Sequence, residues 1–214
     1  MKQFDMSSFE RFPVIGIMRG FTLEQTLPLM EILISEKWPC LEVTMNTDQA
    51  ALQIQELSSR YGDSINIGAG TVTTMEELEE ALKAGANFIV TPVLNLEIIK
   101  KCVDENIPVF PGAFSPTEIF NAWQAGASMV KVFPANQLGP SYIKNITAPL
   151  SQIKVLATGG ISSDNAGEYL KAGAQGFGIG SAVLQRDRIL NQDWSWIREQ
   201  IQNLKSLFPK DDQE

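Results

Sequence analysis

The chain alternates between short apolar or β-branched runs and longer segments in which apolar residues recur every three or four positions. The short runs are PVIGIMR (13–19), LEVTM (41–45), INIGAGT (65–71), FIVTP (88–92), PVFPGA (108–113), MVKVFP (129–134), KVLATGG (154–160) and GFGIGS (176–181). Each has the length and residue types of a buried strand. Between them the spacing is that of amphipathic helices, as in Leu27, Met30 and Ile34, or Leu52 and Leu57, with acids, Ser, Thr or Asp near the segment starts. This strand–helix–strand rhythm predicts parallel βαβ units. Eight such strands, with a last helix around 187–207, predict a closed (β/α)8 TIM barrel of the α/β class. Ala84-Gly85-Ala86, Ala125-Gly126-Ala127 and Ala172-Gly173-Ala174 each precede a strand, where glycine suits a left-handed helix stop. The competing open doubly wound sheet lacks its dinucleotide signature, because Gly68-Ala69-Gly70 has no third glycine before the next helix.

No linker, low-complexity run or composition shift divides the chain, so residues 1–214 are expected to form one barrel domain. A short helix is expected in the first dozen residues, and PKDDQE is expected to be a frayed C-terminal tail.

Composition narrows the chemistry. With 17 basic against 25 acidic residues, a net charge of -8 and no charge blocks, nucleic acid and anionic membrane are poor partners. Cys40 and Cys102 are too far apart in sequence for a CxxC site, which fits a reducing cytoplasm with no disulfide framework and no thiolate metal site. The N-terminal MKQFDMSSFERF has no apolar core of a signal peptide, and no stretch approaches the ~18 apolar residues of a membrane span. Histidine is absent altogether. That removes Ser-His-Asp and Cys-His nucleophile systems and His-rich zinc sites. Catalysis is expected to use Lys, Glu, Asp, Tyr, Cys or backbone groups, with no metal and no cofactor.

Active groups of such barrels sit at the C-terminal ends of the strands, so a charge inside a strand pattern is informative. In Met129-Val130-Lys131-Val132-Phe133, alternation turns the two valines toward the helices and Lys131 into the barrel. Desolvation there favours the neutral, nucleophilic amine of a Schiff-base lysine. The bland alternative is a lysine paired with a carboxylate or snorkelling at the barrel mouth. In Leu41-Glu42-Val43-Thr44-Met45, Glu42 and Thr44 point inward by the same rule, making Glu42 a candidate for proton transfer or a mere counter-ion to Lys131. Glycine clusters end the seventh and eighth strands, at Thr158-Gly159-Gly160-Ile161-Ser162 and Gly178-Ile179-Gly180-Ser181. Barrels of this kind bind phosphate there, although glycines also make tight turns. Arg19 closes the first strand and suits a substrate carboxylate, with a surface role as the alternative. Thr71, after Gly68-Ala69-Gly70, is a neutral donor at the barrel mouth. The sequon at Asn145 has no secretion signal to accompany it, and the acidic run at Glu76–Glu80 opens a helix, where the helix dipole favours it.

On these residues the chain resembles the class I pyruvate aldolases that cleave 2-keto-3-deoxy-6-phosphogluconate (KDPG) and 4-hydroxy-2-oxoglutarate (KHG). The resemblance covers roughly residues 12–185 and rests on LEVTMNT (41–47), IGAGTV (67–72), FIVTP (88–92), PVFPG (108–112), VKVFPA (130–135), ATGGIS (157–162) and GIGSAV (178–183), in the family's order. It implies Lys131 as the Schiff-base lysine and Glu42 as the proton-transfer group. Thr71 and Phe133, with Thr44 and Pro92 of the EVT and IVTP blocks, are implied as pocket residues. Gly159, Gly160, Gly180 and Ser181 are implied as the phosphate site, and a homotrimer as the assembly. One position departs: gluconate-type members often carry EVTLRT, whose arginine holds the pyruvoyl carboxylate, whereas this chain has Asn46. The block Ile17-Met18-Arg19-Gly20 looks more like relatives acting on the galactonate C4 epimer, with Arg19 taking the carboxylate.

The expected partner is therefore a small phosphorylated 2-keto acid, cleaved to pyruvate and glyceraldehyde 3-phosphate. Three alternatives share parts of the pattern: a KHG aldolase without the phosphate site, a phosphate-binding isomerase or synthase, and a non-catalytic phosphometabolite-binding protein. Fold analogy alone does not separate them.

Overall fold

A computed structural model describes residues 2–208, so the PKDDQE tail lies outside the described residues. The elements run α1 (Met6–Arg11), β1 (Val14–Met18), α2 (Leu23–Ser35), β2 (Cys40–Thr44), α3 (Ala50–Tyr61), β3 (Asn66–Gly70), α4 (Met75–Lys83), β4 (Ile89–Val90), α5 (Leu96–Asp104), β5 (Val109–Phe110), β6 (Gly112–Ala113), α6 (Pro116–Gln124), β7 (Val130–Val132), α7 (Ala135–Thr147), β8 (Val155–Thr158), α8 (Ala166–Lys171), β9 (Gly176–Ile179), α9 (Arg186–Leu190) and α10 (Trp194–Lys205). All paired strands are parallel, in the order β5-β4-β3-β2-β1-β9-β8-β7-β6.

The fifth expected strand is broken into β5 and β6 at Pro111, which has no N–H to give to a ladder. The ring still closes there. Ser128 N–H donates to Val109 O and Lys131 N–H to Pro111 O, both at 2.9 Å, so the broken strand pairs with β4 on one side and β7 on the other. The result is the TIM barrel that the strand count predicts.

Local signals act as expected. Gly85, Gly126 and Gly173 take φ of +97°, +101° and +104°, the left-handed stop that sends the chain from a helix into the next strand. Thr22 with Gln25, Thr74 with Glu77 and Ser115 with Glu118 form reciprocal capping boxes at the starts of α2, α4 and α6. Two expectations need correction. Leu52 is 59% exposed, because α3 buries Ala50, Gln53, Ile54 and Leu57 instead, with Gln53 Nε2 bonded to Phe21 O. The last helix is two helices, since Asp193 accepts from Trp196 N–H and starts α10 afresh after α9.

The core has two shells. Residues such as Leu41, Val43, Val130, Val132, Phe177 and Ile179 fill the layer between strands and helices. A second cluster, Phe9, Ile15, Cys40, Phe88, Val90, Phe110, Met129 and Leu156, fills the lower half of the barrel itself. Phe9 comes from α1, which closes the N-terminal end edge-to-face on Phe110 at 5.4 Å between ring centroids. Asn66 holds this plug by accepting from Asp5 N–H at 2.7 Å while its own amide donates to Pro39 O at 3.0 Å. With the bottom closed by this apolar cluster, the charged inward residues Lys131 and Glu42 lie toward the other end of the strands.

Candidate active site

The strand alternation turns Lys131 inward, where it is 4% exposed, while Val130 and Val132 pack in the outer shell. Its Nζ lies 5.1 Å from the centroid of the Phe133 ring, the next residue on the same strand face. Glu42 is 1% exposed, and its Oε2 accepts no hydrogen bond from any described residue. Room for that carboxyl group comes from the neighbouring strand. A Cβ added at Gly70 would overlap the Glu42 carboxyl group, so only a glycine in β3 leaves the space the acid occupies.

Burial sets the electrostatics of both groups. Desolvation lowers the Lys131 amine from its ordinary value, and the Arg19 charge adds to this while Glu42 opposes it. Desolvation likewise raises Glu42 from 4.5 to about 7, against the pull of Lys131 and then of Arg19. The pair is thus biased toward neutral amine and neutral acid, with the acid poised to gain or lose a proton near neutral pH.

Above them opens a cavity of about 380 Å³ at the C-terminal ends of the strands. Of the residues expected from sequence, Arg19, Phe133, Gly159, Gly160, Gly180 and Ser181 form its wall. Lys131 and Glu42 are not themselves in the wall but lie behind it, Lys131 through the Phe133 ring 5.1 Å away and Glu42 through Ile17, its partner in the sheet register. Arg19 is exposed and donates through Nη2 to Thr71 Oγ1 at 3.2 Å. Thr71 itself sits at φ +55°, a conformation that a β-branched residue seldom adopts. The glycine turns have their carbonyls committed to the protein: Asn136 N–H donates to Gly159 O, the Asn165 amide to Gly160 O, and Val183 and Leu184 N–H to Gly180 O.

Thr44, Thr71 and Pro92 fall outside this wall, Thr71 reaching it only through its bond from Arg19. Thr44 is fully buried with its hydroxyl 2.9 Å from Thr47 Oγ1, which in turn accepts from Gly20 N–H, so it ties the loop after β2 to the loop after β1. Pro92 is half-buried with its backbone against Gly112. Asn46 is exposed in a separate groove beside Thr22 and Arg60. The sequence did not single out Phe21, Thr158 or Arg186, all of which line the cavity. Thr158 Oγ1 is buried without a hydrogen-bond partner among the described residues. Arg186 donates through Nη1 to Gly20 O at 2.9 Å, and its guanidinium carbon lies 5.1 Å over the Phe21 ring. Inward alternation on β8 could have found Thr158, whereas Arg186 follows the last strand in a segment without periodicity.

A barrel with a desolvated lysine and a raised carboxylic acid under a cationic, glycine-edged cavity is the build of a class I aldolase, a carbon–carbon lyase. Comparison with known proteins agrees. The chain matches the KDPG and KHG aldolase family over residues 6–200 and belongs to that family. It is 37% identical over 172 residues to the 2-dehydro-3-deoxy-6-phosphogalactonate aldolase of Escherichia coli K12, covering 80% of this chain and 84% of that protein. It is 34% identical over 197 residues to the 2-dehydro-3-deoxy-phosphogluconate aldolase of Haemophilus influenzae, covering 92% and 91%. Among solved structures, a native KDPGal structure superposes with a TM-score of 0.85 at 32% identity over 96% of this chain and 97% of that one. The KDPG aldolase of Legionella pneumophila, with pyruvate captured as a covalent carbinolamine intermediate, gives 0.83 at 32% identity over 95% and 97%.

Proposed function

We propose that this protein reversibly cleaves a 2-keto-3-deoxy-6-phospho sugar acid, of gluconate or galactonate configuration at C4, into pyruvate and glyceraldehyde 3-phosphate. The observation that carries the proposal is Lys131, among the described residues the one lysine buried inside the barrel, coupled to a carboxylic acid raised to about 7. Neutral Lys131 Nζ adds to the C2 ketone, and loss of water gives an iminium that can accept the electrons of the C3–C4 bond. Glu42 takes the proton from the C4 hydroxyl, C3–C4 breaks, and the aldehyde leaves as the phosphorylated three-carbon product. The remaining enamine is protonated at C3 and the iminium is hydrolysed, releasing pyruvate and free Lys131. Arg19, braced by Thr71, is suited to the carboxylate next to C2. Phe133 packs against the reacting carbons. Gly159, Gly160, Gly180 and Ser181 suit the phosphate, since backbone N–H groups of glycine turns at the strand ends can converge on an anion. Thr44 and Pro92 act as supports of the mouth loops in this scheme rather than as substrate contacts.

The protein is further proposed to act as a cytoplasmic homotrimer. Among the described residues, five of the eight exposed large apolar side chains, Val93, Leu96, Val103, Phe114 and Phe120, fall on the consecutive units around α5 and α6, which suits burial against a second copy. A structural neighbour is part of a cage built by fusing symmetric oligomeric domains. Among the described residues no helix is long and apolar enough to cross a membrane.

Borohydride reduction in the presence of pyruvate, followed by peptide mass mapping, tests the chemistry. A reduced pyruvyl adduct on Lys131 that is lost in Lys131→Ala is the expected result. No adduct on any lysine of the folded protein would remove the Schiff-base mechanism.

A further inference from the structure

Among the described residues the cavity wall carries two cations, Arg19 and Arg186, and no carboxylate, in a protein whose net charge is -8. An acidic molecule that takes a multiply charged anion must supply local positive potential where the anion lands. Arg19 lies on the side of Thr71 and of the buried Lys131 and Glu42, whose charges it influences. Arg186 reaches the same wall from a different segment. It follows Gly180 and Ser181 along the chain, at the first residue of α9, and shares the wall with them and with Gly159 and Gly160.

Its guanidinium is held on the rim of the cavity by the bond to Gly20 O and by the face of Phe21. That bond uses one N–H of a group that offers five in a planar fork, the geometry suited to phosphoryl oxygens. Gly20 is also the residue after Arg19, and its own N–H is bonded to Thr47. The single Arg186–Gly20 contact therefore joins the segment after β9 to the segment that carries Arg19, closing the ring of loops around the cavity.

Building on the aldolase reading, we propose that Arg186 is the specificity-determining side chain for the phosphoryl group. It meets the dianion alongside the glycine turns and makes the enzyme prefer phosphorylated over unphosphorylated substrates of the same carbon skeleton. Backbone N–H groups alone orient a phosphate, and the added charge distinguishes it from a neutral hydroxyl.

The experiment compares wild type, Arg186→Ala and Arg186→Lys on the phosphorylated substrate and on its unphosphorylated counterpart, with inorganic phosphate as competitor. Pyruvate trapping on Lys131 is followed in parallel. In Arg186→Ala, KM for the phosphorylated substrate should rise by about ten- to a hundredfold, the size of a lost charge-assisted contact, and phosphate inhibition should weaken with it. Turnover of the unphosphorylated compound and pyruvate trapping should change far less than KM for the phosphorylated substrate, and lysine should restore part of the phosphate preference through charge alone. Equal loss on both substrates would mean that Arg186 only braces the Gly20 rim, and unchanged KM for the phosphorylated substrate would also overturn the proposal. Should wild type trap no pyruvate, the aldolase reading fails separately. Calorimetric binding of inorganic phosphate to wild type and Arg186→Ala then decides the anion site by itself, equal binding overturning it.

Discussion

Gly70 and Glu42 share one volume of the barrel: the carboxyl group of the acid lies where a side chain on the adjacent strand would begin. The two strands are in register there, with Glu42 opposite Gly68 and Thr44 opposite Gly70. A single methyl group at position 70 would therefore move the acid without touching its chemistry.

Gly70→Ala is expected to lower kcat by about a hundredfold, the cost of displacing a catalytic group by about an ångström, because Glu42 is pushed out of line with the reacting bond. Pyruvate trapping on Lys131 should persist. Steady-state kinetics with parallel trapping checks this, and loss of both together would instead point to a collapsed barrel mouth.

Glu42 also links stability to pH. Its folded-state value of about 7 lies above the ordinary 4.5, so between those values the folded protein keeps a proton that the unfolded chain has released. Folding stability from this group therefore falls as pH rises from about 4.5 to about 7 and is level above, by about 3 kcal/mol in all. Glu42→Gln should flatten that part of the curve, read as the difference in urea midpoint between the two proteins from pH 4 to 8. In the same variant the rise of kcat/KM through pH 7 should disappear, because the proton acceptor is gone.

The plug at the other end is a matter of stability alone. Phe9 is 3% exposed and packs against Phe4 and Phe110, so Phe9→Ala should cost about 3–5 kcal/mol of folding free energy. Denaturant titration measures that loss. At temperatures where the variant remains folded, its KM for substrate should match wild type, since the cavity lies at the opposite ends of the strands.

Much of this was legible in the residues because a strand's two-residue period leaves little choice: valines at 130 and 132 force Lys131 inward, and Leu41 with Val43 forces Glu42 inward. The glycine stops at 85, 126 and 173 were legible because only one backbone conformation explains them. Thr44 shows the limit of periodicity. It is inward as expected, but its hydroxyl is taken by Thr47, a residue in an irregular turn that no periodic pattern reaches. Arg186 was missed for the same reason. The break at Pro111 was visible as a proline in a strand, yet whether the ring would open or close there depended on hydrogen bonds from β7, a partner distant in sequence.

The N-terminal plug also orders the making of the protein. Phe9 is translated well before Phe110, which it meets directly, and before Phe88, which it meets only through Phe4 and Phe110. Its docking surface does not exist until those strands have been translated and paired. This segment is thus committed later than it is made, and until then the apolar lumen of the earlier strands stays open.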